Sequence, residues 1–532
     1  MVSLKYSFIK KIALIYISLP LICFFIGWLK WYYAAVSCIA VFVCLIIEFL
    51  KKDADEQESI EVSRIFLFIV CILAFSYCFY CGIGRLWAQS KDYPWRNAIF
   101  RDIILKDWPV IYDKYQGALC YYIGIWLPPS LLGKLSFAIN HDAEFAFKIG
   151  NIGLLLYSAI GIILLFLLIV LYLKPAKKSQ LYLALFMFIF FSGMDILGSI
   201  EPLGVNNFHL EWWARKYQYS SFTTCMCWVF NQAIIPWICM LLILNEKNVI
   251  NYVFIGMCCL LSGPLPFVGL FIYCISIGIH HLVEAIKEKK VKGFFKGVFS
   301  PSNIMSTMLI FPFIGLYLLS NASLRGGGGV QLTENALLTS SAAIENSGVN
   351  LIFLNIKSYI LFILVEFLVF MILIFRKYKK NYLYYITLIL LLLFPFGRVG
   401  YGLDFTMRAS IPSLLFLYLL CTKYIFEEVG VLKKQKDELV DNKTYLKDLL
   451  KRYSYVALVV CLLLGAFTPS VEFIRGIRQV TLRGVDDIMT DYIYTLGEDN
   501  YSFIEDEGIS FSNFVALDYK ESTFFKYFSK ID

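Results

Sequence analysis

The chain has 532 residues, of which 59% are hydrophobic, 17% aromatic and only 17% charged. This composition, with a mean hydropathy of +0.68, excludes a water-soluble globular protein and is typical of a polytopic membrane protein. The formal net charge of +8 falls mainly in short loops between apolar runs, where it orients the chain in the bilayer. The lipid bilayer is therefore the expected partner, and nucleic acid is not.

Most of the 15 cysteines lie inside apolar runs, without the spacing of a disulfide framework. Cys23, Cys38 and Cys44 are examples. They are interpreted as small apolar packing residues, and no metal site is predicted from them.

Apolar runs recur along the chain at the length that a membrane requires. A hydrocarbon core about 30 Å thick needs about 20 apolar helical residues, and roughly 13 runs satisfy this. They are 9–29, 32–50, 64–84, 149–173, 180–199, 223–244, 248–263, 265–283, 304–320, 351–375, 382–397, 410–426 and 454–468. The predicted fold class is an all-α polytopic membrane protein with about 13 transmembrane helices, surface helices in the first large outer loop and a small extracytoplasmic tail.

The basic loops give the predicted orientation. Lysine and arginine concentrate in alternate loops, which places the N-terminus, a retained anchor, in the cytoplasm and the C-terminus outside a cell membrane. The motif SGPLPF, Ser262 to Phe267, interrupts the run 248–283; two short spans or one broken helix would fit, and the alternation favours two.

Three regions follow from this topology: a two-helix addition at 1–63, a transmembrane catalytic region at 64–468 and a C-terminal cap at 469–532. The catalytic region contains the predicted outer loops 85–148, 200–222, 321–350 and 396–409. The glycine-rich loop 321–350 is predicted to be flexible.

The first polar group lies in loop 85–148, directly after the third span. Pro94 and the spacing of the following apolar residues predict an amphipathic helix on the membrane surface, and 117–135 predicts a second surface or re-entrant helix. The candidate residues are Asp92, Trp95, Asn97 and Asp102. Structural interpretations remain open: Asp92 as a helix N-cap, Asp102 paired with Lys106, and Trp95 as an interfacial anchor.

The second polar group follows the fifth span and mixes aromatic rings, amides and charges. Its members are Asp195, His209, Glu211, Trp212, Trp213, Arg215, Lys216, Tyr217, Gln218 and Tyr219. Flat rings suit pyranose stacking and cations suit phosphate oxygens, although a belt of interfacial aromatics is the alternative. No metal motif is present, because His209 and Glu211 have no second histidine at the required spacing.

The third polar group, Arg398, Asp404 and Arg408, lies between two spans near the predicted outer surface. The lower dielectric there strengthens both ion pairing and anion binding. Asp404 and Arg408 could pair at i,i+4, or an arginine could bind a lipid-linked phosphate.

These features resemble the GT-C superfamily of membrane glycosyltransferases, which includes protein mannosyltransferases and aminoarabinose transferases. The likeness covers roughly 64–430 as architecture, and its motif is Asp92 after a span with Trp95, Asn97 and Asp102 behind it. Here the acidic loop follows the third span rather than the first, and KDYP at 91–94 replaces the adjacent acidic pair of that superfamily.

The resemblance implies transfer of a sugar from a polyprenyl-phosphate donor to a glycan, lipid or protein acceptor on the extracytoplasmic side, in cell-surface glycan assembly. It implies Asp92 as the base with Asp102 as rival or helper. It assigns the donor phosphate to Arg408, Arg215, Lys216 and Arg398, and the sugar or acceptor to the remaining polar and aromatic candidates. No cofactor is predicted beyond the donor itself, and a divalent cation is left open.

Two other classes of membrane protein are alternatives to a glycosyltransferase. A polysaccharide polymerase or ligase would use similar lipid-linked donors, typically through a long outer loop rich in arginine and histidine. A transporter or flippase of lipid-linked glycans would carry ionisable residues within its spans, and Glu366 is the candidate.

Overall fold

The computed structural model describes residues 1–50, 59–199, 209–214, 217–322, 331–332, 348–398, 404–434, 442–484, 495–496 and 513–531. Its helices are α1 (Tyr6–Trp28), α2 (Trp31–Leu50), α3 (Arg64–Tyr80), α4 (Tyr93–Leu105), α5 (Leu127–Asn140), α6 (Ala143–Leu173), α7 (Lys178–Phe190), α8 (Asp195–Ser199), α9 (Phe222–Val229), α10 (Ile234–Asn245), α11 (Tyr252–Ser262), α12 (Pro264–Lys287), α13 (Val291–Val298), α14 (Pro301–Met305), α15 (Phe311–Leu319), α16 (Gly348–Ile363), α17 (Val369–Tyr378), α18 (Tyr382–Leu393), α19 (Asp404–Ala409), α20 (Ile411–Lys434), α21 (Asn442–Gly465) and α22 (Phe467–Arg483). The strands are β1 (Val2–Lys5), β2 (Ser59–Val62), β3 (Ile111–Tyr112), β4 (Gly117–Leu119), β5 (Gln331–Leu332), β6 (Gly397–Arg398) and β7 (Val515–Leu517).

The prediction of a mainly helical, multi-pass membrane protein is confirmed. Eight described helical segments are long and apolar enough to cross a membrane, and nine if the bent pair Phe222–Gln232 and Ile234–Asn245 counts as one span. The other predicted spans form helices as well, but three of these are short, at Arg64–Tyr80, Tyr252–Ser262 and Tyr382–Phe396. Every predicted span therefore coincides with one helix or with consecutive helical segments, while the number of crossings stays a prediction.

Contacts within the chain define two compact units. Unit 1 comprises 1–172, 226–329 and 476–532, and unit 2 comprises 173–225 and 330–475. The three regions predicted from the sequence follow different boundaries and stay predictions.

Unit 1 is held together at one end of α1 by a buried charged cluster. Lys10 lies 2.5 Å from Glu246 and also pairs with Glu48, which in turn accepts a hydrogen bond from Asn251. All four side chains are buried. Because buried charges are tolerated only when paired, this cluster fixes α1, α2 and the segment after α10 against one another.

A three-stranded antiparallel sheet in unit 1 joins the loop that was predicted to be the first outer loop, 85–148, to the C-terminal tail. The strand order is β3-β4-β7, with Ala118 opposite Ala516. The sequence analysis predicted no strands, because segments of two or three residues carry no periodicity that could be recognised. The sheet gives the end of the tail an ordered position beside the loop.

The motif SGPLPF joins two separate helices, while the two membrane crossings that the alternation of basic loops favoured stay a prediction. A β-carbon on Gly256 would lie 3.2 Å from the ring of Phe267, so α11 folds back along α12. Gly263 connects them, and Pro264 begins α12, because proline suits a first helical turn.

Unit 2 is packed by long-range hydrogen bonds from helix side chains to backbone carbonyls. The Tyr418 hydroxyl donates to the Ala184 carbonyl at 2.7 Å, and the Tyr378 hydroxyl donates to that of Leu420 at 3.1 Å. A π-helical turn at Leu364–Leu368 separates α16 from α17. Such turns often occur at functional sites, and this one carries Glu366.

Candidate functional site

The predicted polar groups divide between the two units. The group from loop 85–148 lies in unit 1, whereas the second and third groups lie in unit 2. Arg215 and Lys216 of the second group lie outside the described residues, as do the side chain of Arg398 and nearly all of the predicted flexible loop 321–350.

Asp92 lies at the N-cap position of α4 but caps no backbone N–H. Its carboxylate instead accepts a hydrogen bond from Nη2 of Arg96 at 2.9 Å, and its side chain is 32% exposed. Arg96 is buried, and its Nη1 has no hydrogen-bond partner among the residues that the structure describes. The pair thus combines a reachable carboxylate with a guanidinium group that has donor capacity left over.

The helix that carries this pair differs from its predicted form. The helix itself is present, but nearly all of α4 is buried, whereas an amphipathic surface helix would expose one face. Trp95 stacks on Phe514 with ring centroids 5.1 Å apart, and Ile104 packs so closely on Gly150 that a β-carbon there would lie 2.4 Å away. Protein side chains therefore cover the face that was expected to contact the membrane surface.

Asn97 and Asp102 point to fixed partners within unit 1. Asn97 donates to the side-chain oxygen of Gln89 at 2.8 Å. Asp102, fully buried, accepts from the Tyr112 hydroxyl at 2.7 Å and from the Leu496 backbone N–H at 3.0 Å. Lys106, the alternative partner considered for Asp102, lies over the Tyr112 ring instead, 4.5 Å from its centroid.

Burial raises the pKa of Asp102 to about 6, from an ordinary value of 3.8, although Tyr112, Lys106, Leu496 and Arg101 each act to lower it. Since the folded state holds this proton more tightly, the contribution of Asp102 to stability is complete below pH 4 and lost as the pH rises through 6.

We therefore expect Asp102→Asn to become more stable relative to the wild type as the pH rises from 4 to 7, by on the order of 3 kcal/mol. The difference should be constant above pH 7. Thermal unfolding of both proteins in detergent between pH 4 and 8 measures it. Parallel curves for the two proteins would show that Asp102 does not titrate in this range.

In unit 2, Asp195 is the centre of a buried hydrogen-bond network. One carboxylate oxygen, Oδ2, accepts from the hydroxyls of Ser192 at 3.0 Å and Thr468 at 2.7 Å. The other, Oδ1, accepts from the Trp213 indole N–H at 3.2 Å, which also reaches Glu366 at 3.0 Å. One indole N–H therefore bridges two buried carboxyl groups from different helices.

A second network surrounds Glu211. Its carboxylate accepts from Gln218 at 3.0 Å, from the Ser220 hydroxyl at 2.7 Å and from the Ser221 backbone N–H at 2.8 Å. Burial is the main cause of a raised pKa at Glu211, opposed by the charge of His209. These bonds hold Gln218, Ser220 and Ser221 against the 3₁₀ turn Leu210–Ala214, which carries Glu211.

His209 lies between two carboxylates. Its Nδ1 is 3.3 Å from Glu472 and its Nε2 is 4.0 Å from Glu211, while Glu472 also pairs with Arg475. Burial lowers the pKa of His209, but its hydrogen bond to the Glu472 carboxylate and the charges of Glu211 and Glu472 raise the pKa by more. The two carboxylates therefore favour the protonated form of His209.

The aromatic candidates differ in access. Trp213 and Tyr219 are buried, and the Tyr219 hydroxyl donates to the Leu391 carbonyl at 2.5 Å, so neither offers a ring face to a ligand. Trp212 is 50% exposed and keeps an accessible ring. Next to Tyr219 and Glu366 is a cavity of about 10 Å³, which is room for roughly one water molecule.

In the third group, Asp404 and Arg408 form the i,i+4 ion pair that was one of the two interpretations, at 3.0 Å. Arg408 is buried and Asp404 is partly exposed. Pairing alone does not exclude phosphate binding, because a guanidinium group has five donors.

Sequence reasoning missed Arg96, Glu472 and Thr468. Arg96 could have been recognised from its i,i+4 spacing to Asp92. Thr468 and Glu472 meet their partners across more than 260 residues of chain, which no local pattern reveals. Among the described residues no group of three histidine, cysteine or carboxylate side chains is arranged to hold a metal ion.

Comparisons with protein-family models, with curated proteins and with solved structures find no match.

Proposed function

We propose that the protein is a membrane glycosyltransferase that moves a sugar from a polyprenyl-phosphate donor to an acceptor hydroxyl on the extracytoplasmic side. The acceptor is a glycan, a lipid or a protein, and the setting is cell-surface glycan assembly. The observation that carries the proposal is the pair formed by Asp92, whose carboxylate is reachable, and Arg96, whose Nη1 has no partner among the described residues.

The chemistry of this reaction matches the two groups. The acceptor oxygen attacks the anomeric carbon and forms the new C–O bond, while the bond to the phosphate oxygen breaks and polyprenyl phosphate leaves with the electron pair. Asp92 takes the proton of the acceptor hydroxyl. The product has the inverted anomeric configuration, because the displacement is direct.

Arg96 replaces the arginines of the other loops as the first choice for the donor phosphate. It lies beside Asp92 in the same helix, and a guanidinium group binds phosphate oxygens in a fork. A phosphate that engages Arg96 would also loosen its hold on Asp92 and leave the carboxylate a better base. Arg408, Arg215, Lys216 and Arg398 remain secondary candidates for donor binding.

The proposed topology places Asp92 and Arg96 on the extracytoplasmic side. All 13 helical segments cross the membrane, the N-terminus is cytoplasmic, and the C-terminus is outside. The loop that begins before Asp92 is then on the outer side, where a lipid-linked sugar that has crossed the membrane presents its head group.

The test is release of polyprenyl phosphate from a panel of polyprenyl-phosphate sugars by the purified, reconstituted protein, with and without EDTA. Arg96→Gln should raise the donor KM about 10- to 100-fold, because a charge-assisted hydrogen bond contributes about 1.5–3 kcal/mol. Lys91→Gln, an exposed neighbouring cation, should leave the KM unchanged. Absence of release with every donor, from folded wild-type protein, would refute the proposed function.

Transport of a lipid-linked glycan is the second candidate, and the buried pair Asp195 and Glu366 favours it. Ionisable groups within spans often line a transport path. If no donor is turned over, translocation of a fluorescent lipid-linked sugar across vesicles, by wild type and by Glu366→Gln, is the corresponding measurement.

A further inference from the structure

The short helix α13 in unit 1 has one exposed face that combines aromatic rings with lysines. At about 100° per residue, positions 292, 295, 296 and 299 share one side of a helix. Phe295 is 46% exposed, and Phe299, directly after the helix, is 66% exposed. Lys292 and Lys296 are exposed beside them. Two rings and two cations on one face are typical of a helix that lies in a membrane interface.

The opposite face of α13 is fastened to unit 1. Gly297 is buried, and a β-carbon on it would lie 3.4 Å from the Val249 side chain. The side-chain amide of Asn303 donates to the Val298 carbonyl at 3.1 Å and to the Val249 carbonyl at 2.8 Å. The amide thereby satisfies the end of α13 and ties it to the turn before α11. The direction in which the exposed face points is therefore fixed.

The helix α13 lies where two candidate spans meet. The candidate span Pro264–Lys287 ends just before it, and the candidate span Val291–Leu319 begins with it. The 29 residues of the second span would extend about 44 Å as one straight helix, against a hydrocarbon core of about 30 Å. Helical structure is also interrupted at Phe299 and Ser300, before α14. The surplus length, α13, is therefore placed at the membrane surface.

The two lysines of the exposed face have no acidic partner among the described residues. Glu288, the nearest acidic residue in the sequence, pairs with Lys290 at 2.9 Å, and no ion pair joins Lys292 or Lys296 to a carboxylate in this part of the chain. The orientation of the chain in the bilayer explains why lysines occur in this loop. It does not explain why two of them share a face with two exposed rings.

We propose that this face of α13, formed by Lys292, Phe295, Lys296 and Phe299, binds the head groups of anionic phospholipids. The rings enter the boundary between head groups and acyl chains, and the lysines extend their ammonium groups to the phosphates. Each lysine near an anionic surface strengthens such binding about fivefold. The proposal does not depend on the proposed function, because a transporter with the same helix would bind the same lipids.

The test is hydrogen–deuterium exchange of the backbone amides of 291–298, in the full-length protein, in nanodiscs of phosphatidylglycerol or of phosphatidylcholine. Lipid bound to α13 opposes its local opening, so we expect exchange about 10- to 30-fold slower in phosphatidylglycerol. Salt at about 0.5 M should reduce the difference, because it screens exposed charges. Both leaflets of each nanodisc have the same lipid and no other protein is present, so the result depends neither on orientation nor on a protein partner.

Paired substitutions locate the effect. Lys292→Gln with Lys296→Gln should abolish the difference between the two lipids, whereas Lys292→Arg with Lys296→Arg should keep it. The matched control, Lys177→Gln with Lys178→Gln, removes two exposed cations at the start of α7 and should also keep the difference. Phe295→Ser with Phe299→Ser should speed exchange in both lipids, because insertion of the rings does not require a charged head group.

Equal exchange of wild-type 291–298 in the two lipids would overturn the proposal, and the lysines would then serve only to orient the chain. A difference that survives Lys292→Gln with Lys296→Gln would also overturn it, since another basic region would be responsible. Loss of the difference in the matched control would assign the effect to net charge, with the same consequence. If the glutamine pair alters exchange in phosphatidylcholine too, Lys296→Gln alone decides: a reduced difference supports the proposal, and an unchanged one overturns it.

Discussion

Asp92→Asn is expected to lower kcat for sugar transfer about 10²- to 10⁴-fold, the usual contribution of a general base. The donor KM should change little, because the amide oxygen of asparagine can still accept the hydrogen bond from Arg96 that holds the start of α4. kcat and the donor KM thus distinguish a residue that moves a proton from a residue that binds the donor. Arg96→Gln should show the opposite pattern, with a raised donor KM and little change in kcat. Steady-state release of polyprenyl phosphate measures both.

Two variants in the same loop, 85–148, serve as comparisons. Asp113→Asn removes an exposed carboxylate and should keep the wild-type kcat. Asp102→Asn separates the two aspartates that the sequence left as rivals, because Asp102 is enclosed by Tyr112 and Leu496 and should affect stability more than rate. A folded Asp92→Asn protein with wild-type kcat would remove Asp92 from the mechanism. If Asp102→Asn alone lost activity, the proton transfer would belong to Asp102.

The helical segments could be predicted because hydropathy and length are properties of short stretches. A run such as Ala143–Leu173 is identified as a span whatever surrounds it. The prediction of spans was less accurate where a helix is short or is bent by its neighbours. Tyr252–Ser262 is apolar but has only 11 residues, and the segment 223–244 bends sharply in its middle. Counting crossings from composition therefore reaches its limit at short and broken helices.

The candidate site was predictable only in its residue types. The sequence placed Asp195, Glu211 and Trp213 in one polar group; the structure joins Trp213 to Asp195 by a hydrogen bond and places Glu211 in a separate network with Gln218. The role of Trp213 was not visible in the sequence, because its indole N–H bonds to Glu366, a partner 153 residues away. A tryptophan that binds sugar and one that bridges carboxyl groups have the same local sequence, so only long-range contacts distinguish them.

Trp213→Phe is expected to lower the free energy of unfolding by about 2–6 kcal/mol, because it removes one N–H that satisfies two buried carboxyl groups. Phenylalanine keeps an aromatic ring against Gly198, where a β-carbon would lie 2.1 Å from the indole, so the ring position itself is retained. Trp212→Phe is the matched control: its ring is half exposed, and the expected loss is about 1 kcal/mol or less. Unfolding in mixed detergent micelles measures both.

A double-mutant cycle shows whether the loss of stability in Trp213→Phe comes from the hydrogen bond between Trp213 and Glu366. In a Glu366→Met background one of the two acceptors is already absent, so Trp213→Phe should cost clearly less there than in wild type. The remaining cost reports the bond to Asp195, whose other oxygen keeps Ser192 and Thr468. Equal costs in the two backgrounds would mean that Trp213 stabilises unit 2 through packing of its ring. In that case Asp195 and Glu366 would have to be satisfied by other groups, and the small cavity beside Glu366 is where a bound water could do so.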